Sequence, residues 1–438
     1  MSQVTANPAT ATGPQRRVAL PRLLPPPGAG RHDLHAHLGL HGPVPYRGRD
    51  RVLIGEVKAA GLTGRGGASF PAYRKLEAVA AAGAGQAIVV GNAAESEPAS
   101  HKDEALLRLA PHLPLDGLQL AAEAVGAKRV VLYVRRDLLQ STRVDVQIAE
   151  RNAGGLDRAP VEVRPAPARF IAGQETALAS RVSGGLALPT FTPPRVFERG
   201  VDGRPTLVQN VETLAHMALI ARYGPDWFRS AGTRDEPGTM LCTLRQADGS
   251  ASVAEAPLGA PLGQLLNLGK SQPQAVLAGG YHGAWLPIAY IARLLLLNAD
   301  LRRLGAFTGA GIFAALPADR CGLIETARVA RYLALESAGQ CGPCLNGLPR
   351  IANALAELAG ATGKRPRSGI VEDLERWAGL VDGRGACHHP DGTTRFVRSA
   401  LRMFAPEIAG HMKGECSATS HEPFLPIPAG PSDNADWS

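Results

Sequence analysis

Aromatic residues make up only 5% of this 438-residue chain, so platforms for stacking nucleic-acid bases are scarce. Lys and Arg outnumber Asp and Glu to give a net charge of +8, but the excess never collects into a basic run. Nucleic acid and membrane surfaces are therefore not expected partners, and an acidic protein partner suits the charge better. Six cysteines in so long a chain do not form the disulfide framework of a small secreted domain. Apolar runs stay far short of the ~20 residues that cross a bilayer. One of them, 291–297, is broken by Arg293. The opening MSQVTANPATATGPQ has neither the charged start nor the apolar core of a signal peptide. A cytoplasmic protein without direct membrane insertion is the expectation.

Hydrophobic residues, by contrast, reach 45%, and 50 glycines with 35 prolines imply many tight turns. The length calls for two to four domains. Residues 1–17 are Ala/Thr/Pro-rich and read as a disordered tail, as does the Pro/Ser-rich end within a C-terminal tail, 409–438. Over 18–235, apolar runs at 87–90 and 130–134 alternate with helical stretches such as 115–125, the pattern of an α/β domain with a mostly parallel sheet. Over 236–300, short strand-like pieces and turn residues read as a small β-rich insert. Over 301–408, Leu323, Ala327, Ala330, Ala334 and three later series step by three or four, which predicts four amphipathic helices in an antiparallel bundle.

Three motifs carry chemistry. The first is Cys341-Gly-Pro-Cys344 in a Gly/Pro-broken loop, with Cys387 in a later inter-helix loop. Two inter-helix loops at one end of a bundle can meet, so the three thiolates point to one iron–sulfur cluster. Structural zinc would need four closed ligands, and the fourth is not obvious; a buried CxxC without metal is the third reading. The second is the run Gly61 to Pro71, with Gly64, Arg65, Gly66 and Gly67, followed by a predicted helix from Ala72. Glycine admits positive φ and close approach, and a helix N-terminus offers free N–H groups to an anion, although an ordinary tight turn also explains the run. The third is Gly91 to Pro98, where Asn92, Glu95 and Glu97 follow a predicted strand at the place open α/β sheets hold ligands; a capped turn with solvated carboxylates is the alternative. The set His32, His35, His37 and His41 lacks the HExxH carboxylate and reads as a surface helix or loop.

The order and spacing of these motifs resemble the NADH-binding flavoprotein (51 kDa-type) subunits of respiratory complex I, NAD-reducing hydrogenases and formate dehydrogenases. The resemblance runs from about residue 50 to residue 404 and includes Gly173-Gln174-Glu175-Thr176, the stretch from Pro193 to Thr206, and Asn210-Val211-Glu212-Thr213. It implies an α/β flavin domain, a β-grasp insert of the soluble-ligand-binding type and a four-helix iron–sulfur domain. It further implies FMN over the glycine loop, NAD(H) on the flavin ring, and a [4Fe–4S] or [3Fe–4S] cluster at Cys341, Cys344 and Cys387. Gly64, Arg65, Gly66, Gly67, Lys75, Asn92, Glu95, Glu97, Glu175 and Asn210 match the family's cofactor motifs, and Phe70 its first aromatic beside the nicotinamide. NADH or NADPH is the implied donor, with a ferredoxin-like, thioredoxin-fold or quinone-linked partner as acceptor.

The chain departs from that family at named positions. Ala94 stands for an aspartate, Gln174 for a glutamate, Thr192 for a lysine, Ser69 for a glycine, Ala78 for an aromatic and Ala338 for the first cysteine of CxxCxxC. Lost charge and stacking area predict weaker NADH oxidation than in the family, or a cluster-only electron-transfer subunit without flavin. His388, His389, Cys321 and Cys416 are the alternatives for a fourth cluster ligand.

Overall fold

A computed structural model describes residues 22–48, 51–83, 85–269, 273–361, 363–428 and 437–438. The expected disordered tail, 1–17, lies outside them. Three helices, α1 (Leu34–His41), α2 (Val52–Ala60) and α3 (Ala72–Ala82), precede the strand β1 (Ile88–Ala93). Then α4 (Lys102–Leu109) and α5 (His112–Val125) lead to β2 (Arg129–Arg135), and α6 (Arg136–Thr142) and α7 (Val144–Ala153) lead to β3 (Val161–Ala166). Next come α8 (Glu175–Val182), β4 (Thr206–Asn210) and α9 (Val211–Arg229), which breaks at Gly224 (φ +85°) before Pro225.

The four strands form a parallel sheet in the order β3-β2-β1-β4. Ile88, Val89 and Val90 of β1 are all buried, because a central parallel strand is covered on both faces. One face packs on α2, α3, α5 and α9, the other on α8. The chain grows from β1 through β2 to β3 and then returns to the opposite side of β1 with β4. The ends of β1 and β4 thus flank the switch point, where Asn92 and Asn210 stand opposite each other in register.

The insert holds β5 (Thr239–Arg245), β6 (Ala251–Pro257), α10 (Leu262–Leu265), β7 (Ala275–Ala278), β8 (Ala284–Pro287), α11 (Ile288–Ile291) and α12 (Asn298–Arg302). Its sheet, β6-β5-β9-β7-β8, takes its central strand β9 from Ile312–Leu316. The insert therefore reaches past the boundary at residue 300 expected from periodicity. Every residue of β9 is buried, so the strand shows no alternation to mark it.

The helical unit begins with α13 (Gly322–Leu335), followed by α14 (Leu348–Leu358), α15 (Ile370–Val381), α16 (His389–Met403) and a short α17 (Ala405–His411). Contacts join α13 to α14 and α16, and α15 to α14 and α16, which closes the four long helices around one core. The C-terminal tail is not the free segment its composition suggests. Phe424, Leu425 and Trp437 are buried, the amides of Phe424 and Leu425 donate to Glu325, and the Arg169 guanidinium lies 4.1 Å over Trp437. Three apolar side chains in a polar segment suffice to anchor it, and composition averages them away.

The histidine set also differs from expectation. His37 of α1 is buried and bonds Asp116 (2.9 Å), whose carboxylate also pairs with Arg151 and Arg222. His37 belongs to a buried ionic cluster rather than to the surface.

α5 and α9 cross at Gly117, where a Cβ would stand 2.0 Å from the Leu214 carbonyl oxygen. Gly117→Ala is expected to destabilise the fold by about 3 kcal/mol. In contrast, Gly55→Ala, on an exposed helix face with nothing within 4 Å, should stabilise it by up to about 1 kcal/mol. Equilibrium denaturation of both variants checks the pair.

Candidate functional site

The glycine loop is fixed by its neighbours on both sides. The Gly64 amide donates to the Phe70 carbonyl (2.8 Å), and Thr63 pairs with Pro71 as an isolated bridge, closing the run into a hairpin-like turn ahead of α3. Gly66 lies against β4's end: a Cβ there would come within 3.3 Å of Asn210 Cβ. Gly67, at φ +112°, has no atom nearer than 3.9 Å to that position and stands open. Ser69 holds φ +50°, and its hydroxyl accepts from Asn298 (3.2 Å), tying the loop to the insert. A left-handed serine is thus tolerated where the resembling family has glycine.

Arg65 points inward. Its guanidinium bonds Thr63 Oγ1 (2.7 Å) and the Thr239 carbonyl (3.2 Å) beside Glu212, while its amide donates to Thr213 Oγ1 (2.9 Å). Arg65 therefore anchors the loop from behind. The side chains that remain half-exposed around the loop are Phe70, Lys75 and Glu175, with Lys75 and Glu175 in an ion pair.

Asn92 donates to the Gly173 carbonyl (2.9 Å), joining β1's end to the turn before α8. Asn210 caps α9, accepting from the Glu212 amide (3.0 Å), and donates to Asp103 (2.7 Å). Neither Glu95 nor Glu97 is a solvated turn carboxylate. Glu95, at φ +36°, accepts from Ser100 Oγ and the amides of Asp103 and Glu104, so it caps α4's N-terminus. Glu97 accepts from the Tyr281 amide (3.2 Å) of the insert, at the joint between the two sheets. Gln174 likewise works on the backbone, its side-chain oxygen accepting from the amides of Thr176 and Ala177 at the start of α8.

Behind these residues lies a centre that sequence reasoning missed. The Lys102 ammonium, 2% exposed, reaches Asp103 (2.6 Å), Glu212 (3.0 Å) and Asn210 (3.2 Å). Burial works against its charge, but Asp103 and Glu212 outweigh burial and hold its pKa above the ordinary lysine value. Glu212 was legible within the Asn210 stretch. Nothing in the sequence distinguishes Lys102 from a surface lysine.

The second centre lies at one end of the bundle. Cys341 follows α13, Cys344 sits in the π-helical turn Pro343–Gly347 before α14, and Cys387 immediately precedes α16. Cys344 is buried, and Cys341 and Cys387 are half-buried. Burial first, then Cys341 and Cys387, pushes the Cys344 thiol up to about 12; burial and Cys341 raise Cys387 as well. Crowding three thiols without a cation disfavours thiolate, and a cationic iron centre reverses that balance. The donor set fits a cluster held by three thiolates.

Both histidines have protein partners. His389 is buried with one ring nitrogen 2.8 Å from the Leu333 carbonyl and the other 3.1 Å from His282. His388 is fully exposed and pairs with Asp391. Cys321 and Cys416 do not join Cys341 but gather with His411 at the far end of α13. That helix of 14 residues spans about 20 Å.

Comparison with known proteins adds to this geometry. Residues 57–219 match the family described as the Nuo51 FMN-binding domain, and residues 325–411 match the NADH-ubiquinone oxidoreductase-F iron-sulfur binding region. An NADH-quinone oxidoreductase subunit of Rhizobium meliloti (strain 1021) is 28% identical over 402 residues, covering 88% of this chain and 93% of that protein. Its counterpart in the NADH-quinone oxidoreductase of Streptomyces coelicolor is 29% identical over 377 residues, covering 83% of each. Among solved structures, an NAD+-reducing [NiFe]-hydrogenase in the H2-reduced state superposes with a TM-score of 0.77 at 27% identity, over 87% of this chain and 67% of that one. No helix among the described residues is long and apolar enough to cross a membrane.

Burial raises Glu97 to about 8, with the single Tyr281 amide opposing, although part of its surface still meets solvent. From its ordinary 4.5 up to about 8, the folded chain keeps a proton that the unfolded chain releases. Stability should therefore fall as pH rises through that window. Glu97→Gln is expected to flatten this slope. Melting temperatures of both proteins from about pH 5 to about pH 8 check it; identical slopes would exclude Glu97 as the source.

Proposed function

Given that the chain belongs to the 51 kDa-type NADH-binding flavoprotein family, we propose that it oxidises NADH at FMN over the glycine loop and passes electrons to a cluster at Cys341, Cys344 and Cys387. The observation that carries this reading is the switch point: Asn92 and Asn210 in register at the ends of β1 and β4, with Gly66 against Asn210 and the Gly67 backbone open beside it. FMN at such a place accepts a hydride and releases electrons singly, which a nicotinamide and an iron–sulfur centre each require.

The protein's own residues take definite parts. Gly66 and Gly67 let a planar ring or a phosphate approach the backbone, where any larger residue at 66 would crowd Asn210. Lys75 supplies positive charge at the loop's edge, oriented by Glu175. Phe70, 43% exposed, offers an apolar face to a nicotinamide. Asn92 ties β1's end to the turn before α8, and Glu97 ties the following segment to the insert. The three cysteines hold iron at the bundle end, from which electrons leave to a ferredoxin-like, thioredoxin-fold or quinone-linked acceptor. Ala94, Thr192 and Ala78 leave the pocket with less charge and stacking area than the family pattern, so NADH oxidation slower than in the family is part of the reading.

Anaerobically purified protein is expected to carry FMN and iron with sulfide, and its flavin absorption should bleach with NADH in stopped flow. Gly66→Val should lose FMN and keep iron, while Cys387→Ser should do the reverse. A brown protein without extractable FMN would instead make the chain a cluster-only electron-transfer subunit. Full FMN in Gly66→Val would remove the loop from the cofactor site.

A further inference from the structure

The end of the bundle remote from Cys341 carries a second cluster of metal-ligating side chains. Cys321 caps α13, His411 ends α17, and Cys416 follows five residues later; their ligand atoms all lie within 4.8 Å of one another. Cys321 Sγ is 3.4 Å from His411 Nε2 and 3.5 Å from Glu407 Oε2. Around a tetrahedral zinc ion, bond lengths of about 2.3 Å to sulfur and 2.0 Å to nitrogen or oxygen place sulfur about 3.5 Å from either. The Cys321 spacings to His411 and Glu407 match these values, and Cys416 lies within 4.8 Å of both Cys321 and His411. Glu407 is itself held, accepting from the Gly322 and Leu323 amides. Cys321 and His411 are buried while Cys416 is exposed, which leaves an entry path from solvent.

We propose that Cys321, His411 and Cys416 bind one zinc-type divalent ion, the fourth position falling to Glu407 or a water it holds. Such an ion clamps the segment after α17 onto the start of α13. Nothing in the site is shared with the iron cysteines, so the proposal stands apart from the electron-transfer reading.

Metal analysis of the full chain, purified anaerobically, is expected to find about one zinc per chain beside the cluster iron. His411→Ala and Cys416→Ser should lose the zinc and keep the iron, whereas Cys387→Ser should lose iron and keep zinc. Because Cys416 is exposed, its replacement leaves the fold intact, and retained iron monitors that. Cobalt(II) in place of zinc should give thiolate-to-cobalt absorption that Cys416→Ser abolishes. Full zinc in either the His411 or the Cys416 variant, loss of zinc with Cys387 instead, or a Cys321–Cys416 disulfide with no metal would overturn the proposal.

Discussion

The buried ammonium of Lys102 holds the candidate cofactor site together. Asp103, Glu212 and Asn210 converge on it from α4, α9 and the end of β4, and Arg65 joins the same Glu212 from the glycine loop. Removing the lysine would leave two buried carboxylates facing each other, a loss of about 3–5 kcal/mol for a broken buried pair. Asp103 holds Asn210 in turn, and Gly66 lies against Asn210. The open backbone of the loop is thus the outer face of an internal charge network.

A second set of contacts couples that site to the cluster end. The Glu336 carboxylate accepts from Arg169 Nε (3.0 Å) and from the Phe170 amide (2.8 Å), so the segment before α8 grips the residue that opens the cysteine loop. Phe170 also packs on His282 of the insert and His389 of the bundle. Those two histidines bond each other. All three units meet at this point, and their relative placement is set by buried polar contacts.

Much of this was legible from residue patterns. The apolar runs at 87–90 and 130–134 appear as β1 and β2, and the four series in steps of three and four appear as α13 to α16. The glycine loop, the Asn92 turn and the cysteines stand out in the sequence by residue type and spacing. Other features left no such mark. β9 is uniformly buried and so lacks a period, the C-terminal anchor rests on Phe424, Leu425 and Trp437, and Lys102 differs from a surface lysine only in the tertiary partners that surround it. Arg65 and Glu95 were assigned to the cofactor by position, yet their side chains face inward onto protein partners. Local sequence tells which backbone reaches a site and not which way a charged side chain turns.

Electrons given at the glycine loop are proposed to arrive at the three cysteines, and electron paramagnetic resonance of the cofactor-replete protein, frozen after anaerobic mixing with NADH, tests this. An iron–sulfur signal that changes with NADH in step with flavin bleaching, and that is absent in Cys387→Ser, is expected. A flavin that bleaches while the cluster signal stays unchanged, or a cluster that responds to dithionite and never to NADH, would contradict it.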